Sequence, residues 1–143
     1  MRAAAGSAGF TLTEVVIVVV IIGVFVFAAS NSYVLASEQG RVDQGHATLH
    51  SVWVAQRLYK LEHGTFADSF DELADALYLQ RELDELSEPF SFSLIFADSD
   101  EFMVRATRNG SGTWFGQMHL NHNGLAWGSI IGGGHIVSPA SLK

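Results

Sequence analysis

The chain has 143 residues, a formal net charge of −7 and no cysteine. That length suits one domain plus an anchoring segment, and the missing cysteine excludes disulfides, thiolate nucleophiles and Cys-based metal sites. Twelve of the 15 carboxylates fall between Glu62 and Glu101, where Arg81 is the only Arg or Lys. Such a block excludes a phosphate-binding surface there, because nucleic acid needs clustered Lys and Arg. It reads as a solvated face, or alternatively as a surface for a basic partner or for cations.

Residues 1–9 form a short leader whose one charge is Arg2 and whose last residue is Gly9. Phe10-Thr11-Leu12-Thr13-Glu14 follows, and then an apolar run that continues to Ala36 with Glu14 as its only charge. A spanning helix needs about 20 apolar residues, and in hydrocarbon helix is the only single-segment way to pair the backbone. A carboxylate in such a run is costly and marks a functional position; the plain alternative is a side chain that snorkels to the interface. A secretory signal peptide would be shorter and would need a small-residue cleavage site, for which only Ala28-Ala29-Ser30 is on offer. A simple signal anchor leaves Glu14 without a role. Arg2 before the run places the leader in the cytoplasm by the positive-inside rule.

Gly9, Phe10, Thr11, Leu12 and Glu14 together resemble the class III signal of type IV prepilins and pseudopilins. The resemblance implies cutting between Gly9 and Phe10 by a prepilin peptidase and N-methylation of the new Phe10 amine. It also implies assembly through this helix, with Glu14 of one subunit meeting the Phe10 amine of the next. Each charge alone would be costly in an apolar core, so their pairing sets register. Two positions depart from the family. Thr13 stands where an aliphatic residue is usual, and Ala28-Ala29-Ser30-Asn31-Ser32 holds no helix-breaking Pro. Asn31 and its Ser neighbours soften the helix instead, by competing for backbone hydrogen bonds. Many type IV pilins also close a C-terminal loop with a disulfide; here packing and hydrogen bonds must do that.

Beyond the membrane segment, Val42, Leu49, Val52, Trp53, Gln56 and Tyr59 recur at helical spacing, with Arg41, Asp43, Arg57 and Lys60 mostly elsewhere around the helix. No Pro interrupts Phe10 to Glu62, which predicts a helix of about 50 residues, roughly 75–80 Å long. Gly64 is its expected cap. Tyr59 to Phe66, YKLEHGTF, is similar to the passage with which many pilins leave their long helix. Ser69-x-x-Glu72 is a capping box for a short helix over 69–79, with Phe70, Leu73, Ala74 and Leu77 as its apolar face. Strands are expected over Phe90 to Ala97, Phe102 to Thr107, Trp114 to Leu120 and Leu125 to Ile131, with turns at Asn109-Gly110 and Asn123-Gly124. In the first strand Phe90, Phe92, Leu94 and Phe96 share one face. The fold class is therefore α+β: a long N-terminal helix, its transmembrane half over 10–36, packed on a four-stranded antiparallel sheet over 90–131. The head is 37–143, its helical part ending at about 62 and its Gly132-Gly133-Gly134 tail mobile.

His46 and His50 share a helix face at i, i+4, but no further zinc ligand is marked, and both read as polar residues on a solvent or subunit-contact face. His119 and His122 flank a turn and are expected to be exposed. Asp98-Ser99-Asp100-Glu101 lacks the spacing of a calcium loop and reads as a charged turn. Ser111 in Gly110-Ser111-Gly112 lacks the nucleophile-elbow pattern. Trp53, Trp114 and Trp127 are assigned to packing. No catalytic residue, cofactor or metal is expected.

The resemblance thus implies a structural subunit made in the inner membrane and polymerised into an extracellular filament for adhesion, motility or uptake. Its partners would be further copies of itself, the peptidase, an inner-membrane assembly platform and minor pilins. A type II secretion pseudopilin forming a periplasmic piston is the alternative within the family. Outside it stands a membrane-anchored binding domain that never polymerises.

Overall fold

The computed structural model describes residues 9–80, 88–110 and 112–139, with residues 28–31 described by backbone alone. The expectations for residues 1–8, for Arg81, Glu82, Asp84 and Glu85, and for Ser111 lie outside these. The chain divides into two compact units, residues 1–36 and 37–143.

One helix, α1, runs from Leu12 to His63. Its backbone stays helical through Ala28 to Ser32, so the polar cluster does not break it. In the first unit its apolar side chains are uncovered throughout, from Phe10 and Leu12 to Phe27. In the second unit Glu38, Val42, Gly45, Leu49, Val52 and Gln56 form the buried stripe, spaced by three and four residues. Gly45 lets the helix come close to the sheet: a Cβ there would lie 2.9 Å from Phe90 Cδ2 and 3.2 Å from Met118 Cε. Of the predicted stripe, Val42, Leu49, Val52 and Gln56 are buried, while Trp53 and Tyr59 are only half-buried. The helix stops at Gly64, whose φ of 81° only glycine adopts without strain and whose N–H returns to the Lys60 carbonyl at 2.9 Å.

Helix α2, Phe70–Asp75, opens as predicted: the Ser69 side chain accepts from Glu72 N–H at 3.2 Å, and Glu72 Oε2 accepts from Asp68 N–H at 2.9 Å. It ends four residues short of the expected Leu79. Leu77 takes the left-handed conformation at φ 62°, and the Tyr78 and Leu77 N–H groups close back on the Leu73 and Ala74 carbonyls. This is a Schellman cap with leucine where glycine is usual. Leu77 is therefore turned out of the apolar face and is 90% exposed.

The strands are β1 (Phe90–Ala97), β2 (Phe102–Arg108), β3 (Trp114–Asn121), β4 (Ala126–Gly132) and β5 (His135–Val137), paired antiparallel in sequence order. The fifth strand corrects the expected four. Gly133 and Gly134, at φ 56° and 79°, make the two-residue turn that β4 and β5 need, so this glycine run is a hairpin rather than a mobile tail. The alternation predicted for β1 also fails at its end. A register shift between Leu94 and Phe96 leaves Ile95 unpaired and turns Phe96 partly outward, because a bulge moves later residues to the other face. On β2 the alternation holds, and it carries Arg108 inward after Phe102, Val104 and Ala106.

The core lies between the sheet and the second half of α1 and contains Leu49, Val52, Phe102, Val104, Met118, Leu120 and Ile130. Its lower edge is sealed by the loop after α1, where Phe66 meets Phe102 edge to face at 4.8 Å. Gln56, wholly buried, holds that loop by donating Nε2–H to the Ala67 carbonyl and accepting its N–H, both at 2.9 Å. At the C-terminus Val137 is buried and Gln39 Nε2 donates to the Ser138 carbonyl at 2.9 Å. This is the packing and hydrogen bonding by which a cysteine-free tail is fixed.

Candidate functional site: the start of the long helix

The first residues of α1 carry the charge that composition singles out. Thr11 precedes the helix and Glu14 lies in its first turn. The Thr11 hydroxyl accepts from Glu14 N–H at 3.3 Å, and Glu14 Oε2 accepts from Thr11 N–H at 3.0 Å and from the Thr11 hydroxyl at 2.9 Å. This is a capping box, with two orphan donors of the helix end satisfied reciprocally. Within one chain, then, the carboxylate is held by its own helix start. Phe10 is 84% exposed, and nothing stands within 4 Å of a Cβ built on Gly9. Among the described residues, nothing crowds the bond between them. Next to it runs a helix long and apolar enough to cross a membrane.

His46 and His50 do share a face, with ring centroids 4.7 Å apart in an edge-on arrangement. Burial, and then the charge of His50, hold His46 below its ordinary value. Among the described residues no group of three or more His, Cys, Asp or Glu is placed to hold a metal ion. His119 and His122 are half-buried rather than exposed, and their Nδ1 atoms are enclosed. His119 stacks on Trp127 at 5.4 Å and 11°, so a residue near a turn is covered by its cross-strand partner. Of the three tryptophans, Trp114 packs as predicted. Trp53 donates Nε1–H to the His122 carbonyl at 2.9 Å, and Trp127 is 38% exposed on the outer face of the sheet.

The acidic turn is a turn. Asp98 Oδ1 accepts the N–H groups of Asp100 and Glu101 at 2.7 and 2.8 Å, and those bonds hold its carboxyl below the usual range.

Sequence reasoning missed Glu38 and Arg108. Glu38 is buried between two arginines, taking Arg108 Nε at 2.6 Å, Arg108 Nη2 at 3.1 Å and Arg41 Nη1 at 3.2 Å. Arg108 also donates to the Asn109 carbonyl. The signal was present: Arg108 continues the inward series of β2, and Glu38 sits one turn before Val42 on the buried stripe.

The fold and the helix start define a pilin-like α+β chain with an uncovered apolar N-terminal helix. Residues 5–30 match the family model of the prokaryotic N-terminal methylation motif, which is the class III signal peptide of type IV pilins and pseudopilins. No curated protein matches the chain.

Proposed function

We propose that this chain is a structural subunit of a type IV pilus-like filament. The observation that carries the reading is the uncovered apolar half of α1 directly after the methylation motif, with Glu14 as its lone charge. Prepilin peptidase cuts between Gly9 and Phe10 and methylates the Phe10 amine, which keeps its positive charge. Before assembly the first half of α1 lies in the inner membrane. In the polymer these helices bury one another, at about 25 cal/mol per Å² of apolar surface. Glu14 leaves its cap on Thr11, or shares it, to meet the Phe10 amine of a neighbour. A subunit out of register leaves a carboxylate buried and unpaired, at a cost of about 3–5 kcal/mol.

The head is the surface-facing part of the subunit. The YKLEHGTF passage and the spacing of the Asp98 turn, unlike that of a calcium loop, favour a surface pilus over a secretion pseudopilus.

The test is to shear cells, collect the released material and weigh this chain intact. A species beginning with N-methylated Phe10 in the sheared fraction is expected. The same species confined to the envelope would make it a pseudopilin or a minor subunit. A chain that keeps residues 1–9 and stays in the membrane would sink the reading. Glu14→Ala should insert normally and fail to assemble.

A further inference from the structure

A cavity of about 500 Å³ opens beside the last two turns of α1. Arg57 and Lys60 reach it from the helix, Asp100 from the turn between β1 and β2, and His122 and Asn123 from the turn between β3 and β4. Leu61 and Phe66 add apolar wall. Small-ligand sites run from about 300 to 1,000 Å³, and this volume falls within that range.

Both cations are seated on aromatic rings. The guanidinium carbon of Arg57 lies 4.9 Å from the Trp53 ring centroid, and Lys60 Nζ lies 4.4 Å from that of Phe66. A ring face holds a cation in place without neutralising it, so two long side chains are ordered before any ligand arrives. Their charge is not spent elsewhere. Arg41 and Arg108 hold Glu38, and Arg105 donates to Ser93 Oγ at 3.3 Å. Arg57 and Lys60, by contrast, make no hydrogen bond or ion pair among the described residues. Asp98 feels the charge of Lys60, but its Oδ1 is taken by the N–H groups of its own turn. His122 has its Nδ1 enclosed without a hydrogen-bond partner among the described residues. Enclosed polar atoms are normally paired, so this wall calls for one more group.

We propose that this cavity binds an acidic sugar, a ring bearing one carboxylate and several hydroxyls. The proposal goes beyond the filament reading and does not depend on it. The lining sets Arg57 and Lys60 against Asp100, an excess of one positive charge in a chain of net charge −7, which suits a single anionic group. A carboxylate matches the fork of Arg57, and Lys60 stands one turn further along the same helix face. Asp100 selects the rest of the ligand. It can only accept hydrogen bonds, so it needs hydroxyls to donate to it, and the Asn123 amide can both donate to and accept from others. Asp100 also repels a second negative charge. Asp98 and Glu101 in the same turn add to that repulsion, which turns away polyphosphates and nucleic acid. Leu61, 82% exposed, offers its side chain to the carbon face of the ring.

Trp53 supplies the reading, because it lies under Arg57 and donates its indole N–H to the His122 carbonyl at 2.9 Å. The full chain, in a detergent without a sugar head, is titrated at constant ionic strength with glucuronate, glucose, acetate and inorganic phosphate. The indole N–H signals are followed by heteronuclear NMR, with that of Trp53 assigned from Trp53→Phe. Glucuronate should move the Trp53 signal to saturation while those of Trp114 and Trp127 stay put, and glucose should move none. Glucuronate should bind roughly tenfold more tightly than acetate or phosphate, and Arg57→Gln should remove about that factor while Arg105→Gln on the sheet does not. Urea midpoints show that each variant folds, and Lys60→Gln replaces Arg57→Gln if the latter does not. Acetate or phosphate binding as tightly as glucuronate would overturn the proposal. So would an equal shift of all three indole signals, or undiminished affinity in the cation variant. The filament reading stands under any of these outcomes, since none of them touches the start of α1.

Discussion

Glu38 and Arg108 are 70 residues apart in sequence and form a two-point ion pair whose side chains are 1% and 2% exposed. It ties the first turn of the head's helix to the end of β2. Two buried charges hold each other at a desolvation cost, so the pair specifies position more than it adds stability. Removing one partner is another matter. Arg108→Met leaves Glu38 buried with only Arg41 beside it and should cost about 3–5 kcal/mol. Adding Glu38→Leu should recover most of that loss. Urea unfolding of the detergent-solubilised chain, followed by tryptophan fluorescence, reads both. Equal loss in the single and double variants would show that Glu38 does not need its partner.

The same pair gives the head a pH dependence of known sign. Burial pushes the Glu38 carboxyl up, but the hydrogen bonds and charges of Arg108 and Arg41 outweigh it and hold it below its ordinary 4.5. Its contribution is present above that value and is lost as pH falls through the folded one. His46 and His119 act earlier. Burial, with the charge of His50 or of Arg105, holds them below 6.5. The unfolded chain takes up their protons first, so stability declines as pH drops past 6.5. Urea midpoints against pH should fall gently below about 6.5 and steeply below about 4.5. His119→Gln should flatten the first part and Glu38→Gln the second. A profile unchanged in both variants would contradict this assignment.

Gln56 is the single side chain that pairs both backbone groups of Ala67. Gln56→Leu fits the volume but strands a buried N–H and a buried carbonyl, at about 2–4 kcal/mol for the two. Hydrogen exchange at Ala67 should accelerate with it. Slow exchange in the variant would mean that the loop is held by Phe66 alone.

The Leu77 backbone closes the cap of α2, but its side chain buries almost nothing. It sits at φ 62° with its side chain in solvent, and the left-handed region costs a leucine about 1–2 kcal/mol. Leu77→Gly should therefore raise stability by about 0.5–1 kcal/mol, after the extra freedom glycine gains in the unfolded chain. A lower urea midpoint would argue that Leu77 touches something when the chain is assembled.

The elements with strong period or punctuation were legible in the sequence: α1 and its stop at Gly64, the Ser69–Glu72 cap, and the turns that separate β1 to β4. What escaped depended on contacts distant in sequence. Nothing local marks Ile95 as a bulge or tells Glu38 that Arg108 will reach it. Gly45 shows its purpose only beside Phe90. The Gly133-Gly134 turn looked like a tail because three residues of β5 are too few for a strand pattern. At the helix start the charge of Glu14 was plain. Its grip on Thr11 is also spelled out there, as Thr-x-x-Glu.

Gln39 and Ser138 join the two ends of the head, 99 residues apart. Gln39 and Ser138 thus lie together at one pole, beside Glu38, while the Asp98 and Asn121 turns gather at the other, near Phe66 and Trp53. Foreign peptide is better carried at the opposite pole, where Asn123 and Gly124 form a tight surface turn. Were the head circularly permuted, the new ends belong there, with a short bridge closing the old ones.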